Sequence, residues 1–366
     1  MFNPFISNYT MKNKHLHFGQ TLLCLVFLFQ SFILHAQPEV FPGETWARAA
    51  APEELGFDSE KLARARAFTD SINTAAVMII SGGMIVDEWG AVEEKYHVHS
   101  IRKSLISAMY GKYIQNGVID LDKSLEAIGI DDDPPLTELQ RTATIRDVMK
   151  NRTGIFREAL LESDGMAALR PQDMTVRPGT FWYYNNWDFN AAGTIFVEKT
   201  GLCIFDALKQ DIADPIGMEH FEPGDGFYAP GPQSIHPGYP FTMTARDLGR
   251  FGLLMLREGR WEDRQVIPQE WVRESTRYHS DASLYYSSGY GYMWWVARDQ
   301  NKFPHMAVAK VPEGTYSGRG YGGHVLTIIP EYDLVVVHRV DTFDSANRVT
   351  GRDLGTLMKL ILDART

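Results

Sequence analysis

The sequence predicts an α+β fold of the α/β-sandwich type, in which both ends of the chain contribute strands to one antiparallel sheet flanked by helices. Two observations predict it. Short apolar runs of strand length occur at about residues 75–90 and return only after about residue 285. The long region between them is mainly helical in pattern, with loops rich in Pro, Gly and Asp. Strands at both ends with helices between them indicate a sheet that carries a helical insertion.

Local signals define the individual elements. Asp58 is a suitable N-cap for the first helix, the pair Gly82 and Gly83 allows a tight turn between two strands, and Gly201 ends a helix in the middle region. In order, we expect a helix over 58–73, strands over 75–81 and 84–90, a helix from 100 to about 117, helices over 187–200, 245–257 and 268–276, strands over 290–297, 306–310, 324–329 and 334–338, and a helix over 344–364.

The first 36 residues have the pattern of a cleavable signal peptide. Lys12 and Lys14 precede an uncharged apolar run over residues 22–34, which is followed by Ala36 at a suitable cleavage point. This run is short for a membrane span, and the alternative is an uncleaved N-terminal anchor. We therefore expect an exported protein, periplasmic or secreted.

No break in composition divides the rest of the chain, so residues 37–366 are expected to form one domain. Its sheet region comprises about 52–105 and 285–366, and its helical region about 106–284. The formal net charge of -10 argues against a nucleic-acid partner, because such a partner requires a basic surface. Cys203 is the one cysteine of this domain, which excludes an intrachain disulfide.

Ser100 and Lys103 form the most informative motif, S-x-x-K at the start of a predicted helix. Residues three apart on a helix share a face, so the hydroxyl and the amine can meet. A serine hydroxyl needs an adjacent base to become a nucleophile, and a lysine can be that base when burial or nearby positive charge lowers its pKa. The motif therefore suggests a covalent serine hydrolase without a catalytic histidine.

Two further motifs follow in order along the chain. Tyr183 and Asn185 form a Y-x-N motif, and a glycine-rich run over residues 318–323 precedes a predicted strand. The ordered set resembles the serine β-lactamase-like family, which includes class C β-lactamases, related esterases and D-amino-acid peptidases, and penicillin-binding proteins. The resemblance covers about residues 52–360 and implies a catalytic domain of the β-lactamase/transpeptidase-like fold.

The resemblance assigns roles by position. Ser100 matches the nucleophile and Lys103 its partner, whereas Tyr183 matches the tyrosine and Asn185 the asparagine of Y-x-N. Tyr183 could relay a proton to the leaving group, and Asn185 could orient the substrate or Lys103. Whether Lys103 or Tyr183 is the base in acylation stays open.

The third element departs from the family pattern, because Gly318 stands where β-lactamases carry a lysine. This change weakens the expected binding of a β-lactam carboxylate, although Arg319 could replace the charge. Gly320 would let the backbone approach a substrate. The resemblance implies that the N–H groups of Ser100 and Tyr321 form the oxyanion hole.

The sequence thus predicts an exported serine hydrolase that forms an acyl-enzyme on an ester, amide or small peptide. The alternative is a catalytically weak or silent protein of the same fold that binds cell-wall peptides or sugars. No cofactor is expected. His97 and His99 lack the additional ligands of a metal motif, so no metal site is expected either. Contact with a membrane is expected only through the N-terminal signal, if that signal is retained.

Overall fold

The core of the fold is an eight-stranded antiparallel sheet that joins both ends of the described chain. The computed structural model describes residues 39–284, 288–298 and 309–366. Val40–Thr366 cluster as one compact unit, and the predicted signal over 1–36 lies outside the described residues. The strand order is β2-β1-β14-β13-β12-β11-β10-β9. These strands are β1 (Ala76–Ser81), β2 (Met84–Gly90), β9 (Ser280–Asp281), β10 (Gly289–Tyr290), β11 (Trp295–Val296), β12 (Tyr316–Arg319), β13 (Val325–Ile329) and β14 (Leu334–Arg339).

Three two-stranded ladders lie outside this sheet. They are formed by β3 (Tyr96–His97) with β6 (Thr242–Met243), β4 (Ala229–Gly231) with β5 (Ser234–Gly238), and β7 (Arg260–Trp261) with β8 (Arg264–Gln265). The α-helices are α1 (Ser59–Thr69), α2 (Ile101–Gln115), α3 (Leu125–Ile128), α4 (Glu138–Arg141), α5 (Ile145–Met149), α6 (Asp164–Ala168), α7 (Asn186–Thr200), α8 (Ile204–Leu208), α9 (Ala245–Leu256), α10 (Gln269–Thr276) and α11 (Gly351–Asp363). Short 3-10 helices occur at Pro52–Leu55, Pro223–Asp225, Tyr321–Gly323 and Pro330–Tyr332, and a π-helix at Lys209–Ala213.

The two faces of the sheet bury two separate apolar cores. Side chains alternate along a strand, so Met78 and Ile80 of β1 point to one face, and Val77 and Ile79 to the other. The first face packs against the helical region, including α2, α7 and α9. The second face is covered by α1 and α11, which also contact each other. The fold is therefore the predicted sandwich, with helices on both faces of an antiparallel sheet.

Several predicted boundaries shift. Asp58 caps α1 as expected, because its side chain accepts a hydrogen bond from Lys61 N, and Gly201 ends α7 at a φ of 72°. The final helix begins at Gly351 rather than at residue 344, because Thr350 is the N-cap and accepts from Asp353 N.

The predicted strand over 290–297 is interrupted by a turn between β10 and β11. Gly291 N donates to Trp294 O at 2.8 Å. The carbonyl groups of Tyr292 and Met293 accept hydrogen bonds from serines of α2 instead of from a neighbouring strand. The turn thereby attaches the sheet to the helix that begins after Ser100.

In the C-terminal part, β12 is a strand that the sequence pattern did not predict. The predicted strand over 306–310 lies mostly outside the described residues, and residues 309 and 310 are not in a strand. Among the described helices, none has both the length and the apolar character that crossing a membrane requires.

Candidate active site

Ser100 lies at the N-terminus of α2, immediately before the first helical residue. Its side chain forms no capping hydrogen bond, and His99 before it has a φ of 46°. Ser100 is half-buried and lines a cavity of about 820 Å³ between the sheet and the helical region. The positive end of the helix dipole therefore faces the space beside the Ser100 hydroxyl.

Two hydrogen bonds hold α2 against the sheet. Ser104 Oγ donates to Met293 O at 2.8 Å, and Ser107 Oγ donates to Tyr292 O at 2.7 Å. Both serines are buried on the helix that carries Ser100. The nucleophile candidate is thus positioned by a rigid element rather than by a loop.

Lys103 lies one turn after Ser100 and is fully buried. Its Nζ donates to Tyr184 Oη and to Asn186 Oδ1, each at 2.9 Å. The same Nζ lies 4.2 Å from the ring centroid of Tyr184 and 3.8 Å from that of Phe189. Burial, together with the neighbouring positive charge of Arg102, lowers the pKa of Lys103 well below its usual range. An amine in this position is suited to accept a proton.

The structure gives the two neighbouring tyrosines different partners. Tyr183 Oη donates to Met166 O at 2.7 Å and to Glu162 Oε1 at 3.3 Å. Tyr184 is the tyrosine that meets the lysine, and it also lines the cavity beside Ser100.

The asparagine that contacts Lys103 also lies one residue after the predicted one. Asn185 is the N-cap of α7: its Oδ1 accepts from Trp187 N, and its Nδ2 donates to Ile155 O at 2.7 Å and to Asp188 Oδ1 at 3.0 Å. Asn186 contacts Lys103 and donates from Nδ2 to Leu160 O at 3.0 Å. The tyrosine and the asparagine that contact Lys103 are therefore Tyr184 and Asn186, each one residue after the predicted Y-x-N motif, and Asn185 caps α7.

The third predicted element lies on β12 and the 3-10 turn after it. A Cβ at Gly318 would approach Ser104 Oγ to 3.1 Å, so the glycine permits α2 to pack on this strand. Gly320 N donates to His324 O at 2.9 Å, and a Cβ at Gly320 would approach Val98 O to 2.8 Å. A larger residue would displace backbone at this point, so the glycine permits the backbone after β12 to pack closely against Val98.

Arg319, Gly320 and Tyr321 all line the cavity. Arg319 is buried, and its Nε donates to Ser317 Oγ at 2.9 Å, whereas Tyr321 is 47% exposed at the rim. The structure therefore brings the residues around Gly320 to the same cavity as Ser100.

Arg102 is a site residue that the motif analysis missed. It follows Ile101 in the S-x-x-K motif, is 97% buried and lines the cavity. Its guanidinium carbon lies 4.9 Å from the ring centroid of Tyr239, and its Nη2 donates to Asn190 Oδ1 at 3.3 Å. The signal was a second charged residue inside the S-x-x-K motif, directly before Lys103. An arginine at this position of a helix can be exposed to solvent or buried, and the sequence alone does not distinguish these two environments.

The outer wall of the cavity is formed by the segment around α6. Leu161, Met166 and Leu169 line the cavity from this side. An ion pair between Glu162 and Arg170 connects the two ends of the segment. Trp295 forms part of the facing wall, with its ring centroid 5.2 Å from that of Tyr184. The cavity lining thus combines apolar and aromatic side chains with polar and charged ones, a mixture found in binding sites for small molecules.

Comparison with solved structures identifies the same fold. A putative 6-aminohexanoate-dimer hydrolase from Bacillus anthracis is 18% identical, with 81% of this chain and 80% of that chain covered, at a TM-score of 0.59. EstCE1, a hydrolase with promiscuous acyltransferase activity, is 14% identical, with 85% and 100% covered, at a TM-score of 0.58. At these identities the likeness concerns the fold alone.

Sequence comparison extends the likeness to the family. An uncharacterized protein of Alkalihalophilus pseudofirmus is 22% identical over 299 residues, which cover 74% of this chain and 84% of that protein. The model of the Beta-lactamase family matches residues 60–356, a range that includes both α2 and β12. Because this match spans most of the chain, the protein belongs to the β-lactamase family, whose members are generally serine hydrolases.

Proposed function

We propose that this protein is a serine hydrolase that forms an acyl-enzyme on Ser100 and acts on an ester, amide or small peptide. One observation carries the proposal: the Nζ of buried Lys103, one helical turn from Ser100, lies 2.9 Å from both Tyr184 Oη and Asn186 Oδ1. A buried amine with a phenol as its partner can move protons between a nucleophile and a leaving group.

In the acylation step, Ser100 Oγ attacks the carbonyl carbon of the substrate and its proton passes to the neutral Lys103 Nζ. Burial lowers the pKa of Lys103, which supports this amine as the base in acylation. When the tetrahedral intermediate collapses, the bond to the leaving group breaks. The leaving group then takes a proton from Tyr184 Oη, and Tyr184 regains one from the Lys103 ammonium.

The remaining groups orient the reaction. Asn186 holds Lys103 Nζ in place by a hydrogen bond of 2.9 Å. We assign the N–H groups of Ser100 and Tyr321 to the developing oxyanion, since Ser100 begins a helix and Tyr321 lines the same cavity. Water then attacks the acyl carbon, the acid product leaves, and Ser100 regains its proton.

Labelling of Ser100 tests the acyl-enzyme. After treatment with a fluorophosphonate, mass spectrometry should find one adduct on the peptide that contains Ser100. The matched control is Ser104→Ala, which changes another serine of the same helix, and this variant should still be labelled. Labelling that persists in Ser100→Ala, or its absence from the wild-type protein, would contradict the proposal. The latter outcome would favour a silent binding protein of this fold.

Substrate preference follows from Gly318. Without a lysine there, a cephalosporin carboxylate loses a charge-assisted contact of about 1.5–3 kcal/mol, which corresponds to about ten- to a hundredfold in binding. We expect a short-chain nitrophenyl ester to be hydrolysed with a higher kcat/KM than a chromogenic cephalosporin. Cephalosporin turnover near the diffusional limit would contradict this preference and would assign the missing charge to Arg319.

Export is a separate proposal, based on Lys12, Lys14 and the apolar run over residues 22–34. When the full chain is expressed in a bacterial host, the protein should appear in the periplasmic or secreted fraction with its N-terminus near Gln37. A cytoplasmic protein with an intact N-terminus would contradict export. The proposed partner is a small-molecule substrate rather than a nucleic acid, in line with the net charge of -10.

A further inference from the structure

Arg102 brings a buried positive charge to the floor of the cavity without a carboxylate beside it. Among the described residues, Arg102 forms no ion pair with an acid, and its Nε has no hydrogen-bond acceptor. Its hydrogen bond to Asn190 Oδ1 is long at 3.3 Å. Burial of a charge without a partner is costly, and natural proteins pair or solvate nearly all such groups.

Neutral groups contact the guanidinium of Arg102, a residue that lines the cavity. Asn190 is itself fixed, because its Nδ2 donates to Leu160 O at 3.0 Å. Tyr239 packs against the guanidinium from another side, with 4.9 Å between the guanidinium carbon and the ring centroid. Leu161, which follows Leu160, and Pro240, which follows Tyr239, line the same cavity as Arg102. The guanidinium is therefore held by neutral groups at a wall that a substrate can reach.

The two acidic residues that line this cavity do not form ion pairs with Arg102. Glu162 is paired with Arg170, and Asp164 lies exposed at the start of α6. Arg319 adds a second buried arginine from β12 on the sheet side of the cavity. The lining therefore provides guanidinium groups from two elements, and the one on α2 contacts the neutral side chains of Asn190 and Tyr239.

We propose that Arg102 forms an anion subsite on the helical side of the cavity and that the natural substrate carries a carboxylate which binds there. An arginine can bind a carboxylate through two parallel hydrogen bonds, and such a bond would provide the acceptor that the guanidinium lacks. This inference rests on the proposed function and narrows it to esters or amides of anionic compounds.

Two matched pairs of esters test the subsite. In the first pair the carboxylate is on the acyl group: mono-4-nitrophenyl glutarate is compared with its neutral methyl ester. In the second it is on the leaving group: 3-butyryloxybenzoate is compared with its methyl ester. The wild-type protein should prefer the anionic member of at least one pair by about ten- to a hundredfold in kcat/KM, the scale of one charge-assisted hydrogen bond. Equal or lower activity on both anionic esters would overturn the proposal, and this test needs no variant.

Variants then locate the charge. Arg102→Gln should abolish the anionic preference, Arg102→Lys should retain part of it, and Arg319→Gln, the matched change of the other buried arginine, should leave the ratio of anionic to neutral activity unchanged. A ratio that persists in Arg102→Gln, or that is lost in Arg319→Gln instead, would overturn the assignment. The ratio is insensitive to a general loss of folded protein, because both esters report on the same preparation.

The experiments distinguish failure of the proposed hydrolase function from failure of the proposed anion subsite. If the protein is not a serine hydrolase, neither ester of either pair is hydrolysed and the fluorophosphonate does not label Ser100. If only the subsite is wrong, Ser100 is labelled and the neutral esters are hydrolysed, but the carboxylate gives no advantage.

Discussion

Tyr183 and Tyr184 are neighbours in sequence and both are buried, yet they belong to two different regions of the molecule. Tyr183 Oη donates to the backbone carbonyl of Met166 and so supports the outer wall of the cavity. Tyr184 Oη accepts from Lys103 Nζ and so belongs to its polar centre. A phenol bonded to a carbonyl keeps its proton, whereas a phenol in contact with an amine can exchange one. The partner of each side chain, rather than its burial, therefore separates the structural tyrosine from the catalytic candidate.

Removing the phenol hydroxyl of Tyr184 is the most direct test of the difference between the two tyrosines. Tyr184→Phe keeps the ring but removes the group that contacts Lys103, so kcat should fall at least about a hundredfold, the usual scale for general acid–base catalysis. The measurement is kcat on a short-chain nitrophenyl ester. Tyr183→Phe is the matched control and should retain kcat within a few-fold. Loss of activity in Tyr183→Phe with none in Tyr184→Phe would restore the assignment first made from the sequence.

A double mutant shows whether Lys103 and Tyr184 act as one unit. Lys103→Ala should also reduce kcat by at least about a hundredfold. If the two groups serve the same proton transfer, the double variant Lys103→Ala/Tyr184→Phe should be little worse than the more impaired single variant. The three variants are compared by kcat on the same ester. Losses that multiply in the double variant would mean that the two residues act in independent steps.

The pH dependence of acylation tests whether the positive charge of Arg102 lowers the pKa of Lys103. The amine accepts the Ser100 proton only when it is neutral, so kcat/KM should rise with pH through the pKa of Lys103. Burial and then Arg102 lower this pKa, and the rise should therefore occur well below the usual lysine value of about 10.4. Arg102→Gln removes one positive charge and should move the rise to higher pH. Profiles are recorded with a neutral ester, and an unchanged midpoint in Arg102→Gln would exclude the electrostatic effect.

The site shows why one motif could be predicted in register and the other could not. Ser100 and Lys103 lie on a regular helix, where a spacing of three fixes a shared face. The run Tyr183-Tyr184-Asn185-Asn186 contains two overlapping matches to Y-x-N, one residue apart, in a segment that precedes a helix. Only the tertiary contacts of Lys103 select the second match.

The fold itself was predictable where local signals were strong. Asp58 predicted the start of α1, and the apolar runs of β1, β13 and β14 predicted central strands of the sheet, because these strands are buried on both faces. Short strands such as β12 were missed, since four residues that include a glycine and an arginine carry little strand pattern. Burial of Arg102 was also missed, because it depends on Asn190 and Tyr239, which are distant in sequence.

Tyr183, which supports the outer wall of the cavity, is expected to contribute modestly to stability and to substrate binding. Tyr183→Phe removes a hydrogen bond to Met166 O at a buried position, so the free energy of unfolding should fall by about 1 kcal/mol, the net contribution of a typical hydrogen bond. Urea denaturation followed by circular dichroism measures this change. Because the bond holds the segment around α6, which lines the cavity, KM should rise modestly while kcat stays near the wild-type value. A Tyr183→Phe variant with unchanged stability and unchanged KM would mean that the wall is held by other contacts, such as the ion pair of Glu162 with Arg170.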